Sequence, residues 1–244
     1  MVSMVVHVLK DAEQIGKAAA GIFAAQVNVK PDSVVGYATG STPLPTYTGM
    51  AELYKAGAVD FSKMITFNLD EYVGLERDHD QSYYKFMSDN LFSKINVDMK
   101  NVHVPYGAAK DLDAECKGYE AAIEAAGGID LQILGIGSNG HIAFNEPDED
   151  FADITHVVTL TENTINDNKR FFNSADEVPK KALSMGIGSI MRARRIVIIC
   201  TGANKADAVY DMLNGKISGQ NPASSLRMHQ DVTVFLDEAA AAKL

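Results

Sequence analysis

Short runs that are apolar at nearly every position recur along the chain: MVVHVL, SVVGYA, MITFNL, LQILGIG, HVVTL, RIVIIC and VTVFL. Between them lie segments rich in Ala, Glu, Lys and Leu. Five of these have helical character: Asp11 to Asn28, Pro43 to Lys55, Ser82 to Leu91, Asp111 to Ala126, and Asn204 to Leu213. In the second, Leu44, Tyr47, Met50 and Leu53 recur every three residues and make one apolar helix face. Strands that are apolar on both faces need cover on both faces. The alternation therefore predicts an α/β fold, a single doubly wound domain over residues 1–244, with a mostly parallel central sheet flanked by helices. No Gly/Ser/Pro linker, low-complexity tract or repeat divides the chain, and DEDFAD at 148–153 reads as an exposed loop. In such sheets ligands collect beyond the carboxyl ends of the strands, where strand order reverses. That rule nominates the loops after VVGYA, MITFN, LQILG and IVIIC.

Composition narrows the partners. Lys and Arg number 22 against 32 Asp and Glu, a net charge of −10, so no general polyanion-binding face is expected and nucleic acid is excluded as a partner. An anionic ligand would need a local cluster of cations and amides. Cys116 and Cys200 are isolated thiols, which argues for a reducing compartment and against a disulfide framework. The start, MVSMVVHVLKD, lacks a basic leader and reads as a first strand. No stretch approaches the roughly 18 apolar residues of a membrane span. The expectation is a cytoplasmic protein with no membrane association. The six histidines are scattered without HxH, HExxH or CxxC spacing, so no metal is expected.

Four stretches carry polar chemistry at the nominated edge. Thr39-Gly40-Ser41-Thr42 lies between a strand and a helix with Pro43 in its first turn. Its glycine, hydroxyls and helix-start amides suit an anion, while Ser41 or Thr42 serves equally well as a simple helix cap. Asp70 and Glu71 directly follow a buried strand. A carboxylate there can abstract a proton beside a carbonyl, although a lone Asp-Glu pair reads more readily as a cap or a surface group. Gly135, Gly137 and Gly140 spell G-x-G-x-x-G, and Glu162 falls near the place of a ribose-binding acid. A dinucleotide turn needs a helix after its third glycine, and Pro147 leaves little room for one. Asn139, His141 and Glu146 make better sense there as an acid–base site, because a carboxylate orients an imidazole and favours its charged form. The alternative is a core histidine bonded to backbone. Arg170 and Lys205 are the cations to pair with the Thr39–Thr42 loop, although each alone reads as a solvated charge.

ATGSTP, FNLDEYVGL, SYYKFM, GIGSNGHIAFNEP and RFF together resemble the glucosamine-6-phosphate deaminase (isomerase) family, of the short non-allosteric type, in order from the first strand to about Lys205. The resemblance implies a Rossmann-like domain that converts glucosamine 6-phosphate and water to fructose 6-phosphate and ammonia without a redox cofactor. It implies Asp70 as the base moving a proton from C2 to C1, and His141 as the ring-opening acid–base group oriented by Asn139 and Glu146. Ser41, Thr42, Arg170 and Lys205 would hold the phosphate, with Thr39 and Gly40 lining the same loop.

The chain also departs from the family pattern. Many members carry Asp where Asn139 stands; an amide can orient His141 but cannot share a proton with it. Regulated members are hexamers that use Ser, Arg and Lys after the Glu-Pro, where this chain has Glu149, His156 and Val158. Losing two cations and gaining a carboxylate predicts an unregulated enzyme. Ile154 stands in place of an expected Arg, with no functional account. The resemblance leaves open monomer against homo-oligomer and glucosamine against galactosamine 6-phosphate. The rival readings are 6-phosphogluconolactonase, which shares the glycine-histidine loop but needs no proton shuttle, and a sugar-phosphate sensor, which would carry a basic DNA-reading segment.

Overall fold

The computed structural model describes residues 3–169, 172, 174 and 177–244. Strands and helices alternate in the order β1 (Ser3–Leu9), α1 (Ala12–Val29), β2 (Val34–Tyr37), α2 (Leu44–Lys55), β3 (Ile65–Asn68), β4 (Asp70–Tyr72), α3 (Tyr83–Asn90), β5 (Val102–His103) and α4 (Leu112–Ala125). They continue with β6 (Leu131–Gly135), β7 (His156–Thr159), α5 (Glu162–Asn168), β8 (Lys181–Ser184), α6 (Ile187–Met191), β9 (Arg195–Cys200), α7 (Ala206–Asn214) and β10 (Asp231–Asp237). Each of the seven apolar runs contains a strand, and each of the five helical segments contains a helix.

Six of the seven runs join a seven-stranded sheet in the order β1-β10-β9-β6-β2-β3-β5, with every pair parallel. Its central strands are buried at nearly every residue, as two covered faces require. From β2 the chain winds outward to β3 and β5, then returns to β6 and winds the other way to β9 and β10. The reversal therefore lies between β2 and β6, whose Gly36 and Gln132 pair directly. The helices lie where their caps and apolar faces dictate. Asp11 accepts from the Gln14 amide at 2.9 Å to start α1, which buries Ile15, Ala19, Phe23 and Val27 at a helical spacing.

HVVTL departs from the expectation of a buried parallel strand. As β7 it pairs antiparallel with β8, which also pairs with β4, in a separate sheet of order β4-β8-β7. Its residues are half-exposed or exposed, unlike the buried strands of the main sheet. At the far edge of the main sheet, β1 pairs with β10 on one side only among the described residues, and Val5, Val6 and Val8 are 46%, 39% and 50% exposed.

Candidate active site

The strand-order reversal opens a cleft of about 410 Å³ at the carboxyl edge of the main sheet. Four connections wall it: Ala38–Thr42 after β2, Leu69–Asp70 after β3, the glycine-rich loop after β6, and Thr201–Lys205 after β9. These are the connections that the switch-point rule nominates.

In the first wall, Pro43 takes the cap position of α2 and no side chain caps the helix. Ser41 and Thr42 are therefore not spent on capping, and the capping alternative drops out. Gly40 has φ +94°, a left-handed conformation that lets the backbone turn sharply between strand and helix. The Tyr47 hydroxyl of α2 donates to the Ala38 carbonyl and fastens the start of the loop. Lys205 also lines the cleft, at the start of α7, with Thr201 and Asn204. Its loop is held from behind by Asp237, at the end of β10. The Asp237 carboxylate accepts from the Gly202 amide at 2.8 Å and from the Ala240 amide at 2.7 Å. Arg170 lies outside the described residues.

The Asp-Glu pair divides. Alternation along β4 sends Asp70 and Glu71 to opposite faces. Asp70 enters the cleft at only 6% exposure, and its Oδ1 has no hydrogen-bond partner among the described residues. Burial, and after it the neighbouring Glu71, pushes the Asp70 carboxyl up to about 8. Glu71 is buried away from the cleft and accepts from the amides of Tyr72, Tyr83 and Tyr84 at 2.9, 2.9 and 3.0 Å. Burial raises it too, but those three donors and Arg77 oppose the rise.

No helix follows the third glycine of G-x-G-x-x-G; the chain from 136 to 155 is irregular. The glycines shape a tight loop in which the Gly137 amide donates to the His141 carbonyl at 2.8 Å. A Cβ on Gly137 would stand 2.4 Å from the His141 ring, so only glycine lets the imidazole sit there. His141 lines the cleft, and its Nδ1 lies 3.3 Å from Glu146 Oε2. Asn139 and Glu146 stand behind it. The Asn139 amide donates to Glu146 Oε2 at 2.7 Å, and Asn139 Oδ1 accepts from the His141 amide at 3.2 Å. Thr164 of α5 donates to Glu146 Oε1. Burial pushes the Glu146 carboxyl upward, but His141, Thr164 and Asn139 together outweigh it and bring Glu146 down to about 2.

Among the predicted residues the cleft thus brings together Thr39, Gly40, Ser41, Thr42, Asp70, His141 and Lys205. Tyr83, Ala143, Phe144, Thr164 and Asn168 also line it and were not foreseen. Ala143 has φ +50°, the one positive-φ residue other than glycine among those described. Such backbone strain marks functional loops, but only coordinates reveal it. Among the described residues no three His, Cys, Asp or Glu side chains group to hold a metal, and no helix is long and apolar enough to cross a membrane.

The model for the family described as glucosamine-6-phosphate isomerases/6-phosphogluconolactonase matches residues 10–235. A glucosamine-6-phosphate deaminase of Thermoanaerobacter sp. (strain X514) is 56% identical over 238 residues, 98% of this chain and 94% of that protein. Another of Clostridioides difficile (strain 630) is 52% identical over 241 residues, 99% of this chain and 97% of that protein. Among solved structures, a monomeric glucosamine-6-phosphate deaminase superposes with a TM-score of 0.97 at 45% identity, covering 99% of this chain and 100% of that one. A 6-phosphogluconolactonase from Trypanosoma brucei shares the fold, with a TM-score of 0.75 at 20% identity and both chains fully covered.

Proposed function

The chain belongs to the family of glucosamine-6-phosphate isomerases and 6-phosphogluconolactonases, and from that premise we propose that it is a glucosamine-6-phosphate deaminase, converting glucosamine 6-phosphate and water to fructose 6-phosphate and ammonia. One observation carries the assignment of roles: Asp70 and His141 line a single cleft whose walls also hold the Thr39–Thr42 loop and Lys205.

The reaction begins with a closed pyranose. His141 delivers a proton to the ring oxygen as the anomeric hydroxyl loses one, and the ring opens. Asn139 and Glu146 orient the imidazole: Glu146 Oε2 stands 3.3 Å from its Nδ1, and Asn139 holds both Glu146 and the His141 amide. In the open aldose the C2 hydrogen is acidified by the neighbouring carbonyl. Asp70 removes it and returns a proton to C1, which leaves a 2-imine that water hydrolyses to the ketose and ammonia. A base held near neutrality balances proton affinity against the fraction ionised. Ser41, Thr42 and Lys205 hold the phosphate with Thr39 and Gly40, and Arg170 joins them on the strength of its motif. Binding energy from that remote charged group fixes the orientation of the reacting carbons.

The lactonase reading is weaker. Lactone hydrolysis uses no proton transfer between C2 and C1, so the buried Asp70 would have no task. Glu149, His156 and Val158 provide no cationic pair for a second sugar phosphate, so the kinetics are hyperbolic and N-acetylglucosamine 6-phosphate does not activate. The likeness to a monomeric glucosamine-6-phosphate deaminase, with a TM-score of 0.97 at 45% identity, supports activity as a monomer. The free, buried Cys116 and Cys200 fit a cytoplasmic location.

The test is ammonia release from glucosamine 6-phosphate and galactosamine 6-phosphate, alongside lactone hydrolysis. Turnover of glucosamine 6-phosphate with inert lactone is expected; lactone hydrolysis with no ammonia release overturns the reading.

A further inference from the structure

We infer that Glu71 is a positioning residue for the isomerisation: its buried carboxylate ties the strand that carries Asp70 to the start of α3, which carries Tyr83, and so sets the width of the cleft between base and ring. This rests on the deaminase reading above.

A helix leaves its first amides without partners, and a carboxylate is the usual surface remedy. Here the remedy is internal. Ser82 caps α3 by accepting from the Lys85 amide at 3.1 Å. Glu71, at 2% exposure, takes the next two donors, the amides of Tyr83 and Tyr84, and also the Tyr72 amide of its own strand. One side chain thus joins two elements that are twelve residues apart in the chain. Each element places a residue in the cleft: Asp70, one position before Glu71, and Tyr83, the first residue of α3. The Tyr83 ring also packs on Tyr72 at 4.7 Å and on Phe144, from the His141 loop, at 6.2 Å. A shift of Glu71 therefore reaches base, ring and acid loop together.

The anchor has no slack. A Cβ on Gly107 would stand 1.9 Å from the Tyr72 carbonyl and 3.3 Å from Glu71 Cγ, so the 107 segment closes the space behind it. Among the described residues, the charged and titratable groups that bear on the Asp70–Glu71 pair include Arg77 and the phenols of Tyr47, Tyr72, Tyr83 and Tyr119, and His141 and Lys205 line the same cleft as Asp70.

The experiment compares wild type, Glu71→Gln and Glu71→Asp in ammonia release from glucosamine 6-phosphate across pH 5–9, with folding checked by circular dichroism and thermal melting. For both variants the expected result is a kcat about 10- to 100-fold lower, the scale of an ångström-level misplacement, with KM changed far less because the phosphate is held elsewhere. In Glu71→Gln the acid limb of kcat/KM moves to lower pH, because a neutral amide no longer opposes ionisation of Asp70. In Glu71→Asp the charge stays and the limb does not move. Folded variants with wild-type kcat and pH profile overturn the inference, as does lost thermal stability with kinetics otherwise unchanged. If Glu71→Gln fails to fold, Glu71→Asp decides alone, and wild-type kcat there overturns the inference. A wild type that releases no ammonia sinks the deaminase reading itself, and this inference with it.

Discussion

Asp70 and Glu146 bear on the same cleft from opposite environments. Asp70 sits on a strand, almost wholly buried, with Oδ1 unpartnered among the described residues and a second carboxylate beside it on the chain. Glu146 sits on a loop, less deeply buried, with Thr164 on one oxygen and Asn139 and His141 at the other. Burial pushes both upward. Donors decide the outcome, carrying Glu146 down to about 2 while Asp70 rises to about 8. Environments that push two like groups apart assign them different tasks. The raised carboxyl can take a proton near neutral pH, and the lowered one remains an anion that steadies an imidazole.

The contrast breaks most sharply at Asp70. Asp70→Asn should lower ammonia release by about 10³-fold or more, within the range for loss of a positioned base. The same variant should be more stable than wild type in alkaline solution. The folded-state pKa of Asp70 is raised, so its stabilising contribution is complete below the unfolded value near 3.8 and is lost as pH climbs through about 8. Thermal melts should therefore show the advantage of Asp70→Asn growing from about pH 4 to about pH 8. In wild type, kcat/KM should rise with pH over the upper part of that window, as the base ionises.

His141→Gln comes next, with a loss of about 10²-fold, at the lower end for acid–base groups. A pyranose also opens unaided in water, which limits the damage. Because the defect lies in ring opening, an acyclic hexitol phosphate should inhibit the variant as tightly as it inhibits wild type; a matching loss of inhibitor affinity would contradict the assignment. Lys205→Ala should raise KM by about 10- to 100-fold, the value of a hydrogen bond to a charged group, with kcat changed much less. Steady-state kinetics separates the two effects.

The smallest effect is expected at Glu146, where Glu146→Gln should lower activity several-fold. Its stability signature has the opposite sign to that of Asp70. A lowered pKa contributes stability above the unfolded value near 4.5 and loses it as pH falls through about 2. The variant should melt below wild type at neutral pH, and the gap should close between pH 4.5 and about 2.

Periodicity made the parallel sheet readable, because strands such as Leu131–Gly135 and Arg195–Cys200 are apolar throughout and both faces must be covered. It did not reveal β4 or β8. Three residues, DEY, carry no period, and their pairing partner Ala182–Ser184 lies more than a hundred positions away. The base and cap readings of Asp70-Glu71 looked like alternatives along the chain. On an alternating strand they separate: Glu71 supplements the Ser82 cap by accepting from the first two amides of α3, and Asp70 enters the cleft. Anion loop and helix cap were likewise evenly matched for Ser41 and Thr42, until Pro43 took the cap position. Asp237 and Thr164 stayed hidden because each acts by fastening a remote segment, through Gly202 and Glu146 respectively.

The open flank of β1 bears on how the protein behaves in concentrated solution. A strand with exposed valines on both faces and one unpaired edge offers a template for edge-to-edge association, and no proline or charged side chain interrupts it between Met4 and Leu9. Colloidal stability then falls to mutual repulsion between molecules that each carry a net charge of −10. Acidification neutralises the carboxylates and high salt screens them, so either treatment removes the barrier that keeps neighbouring copies apart.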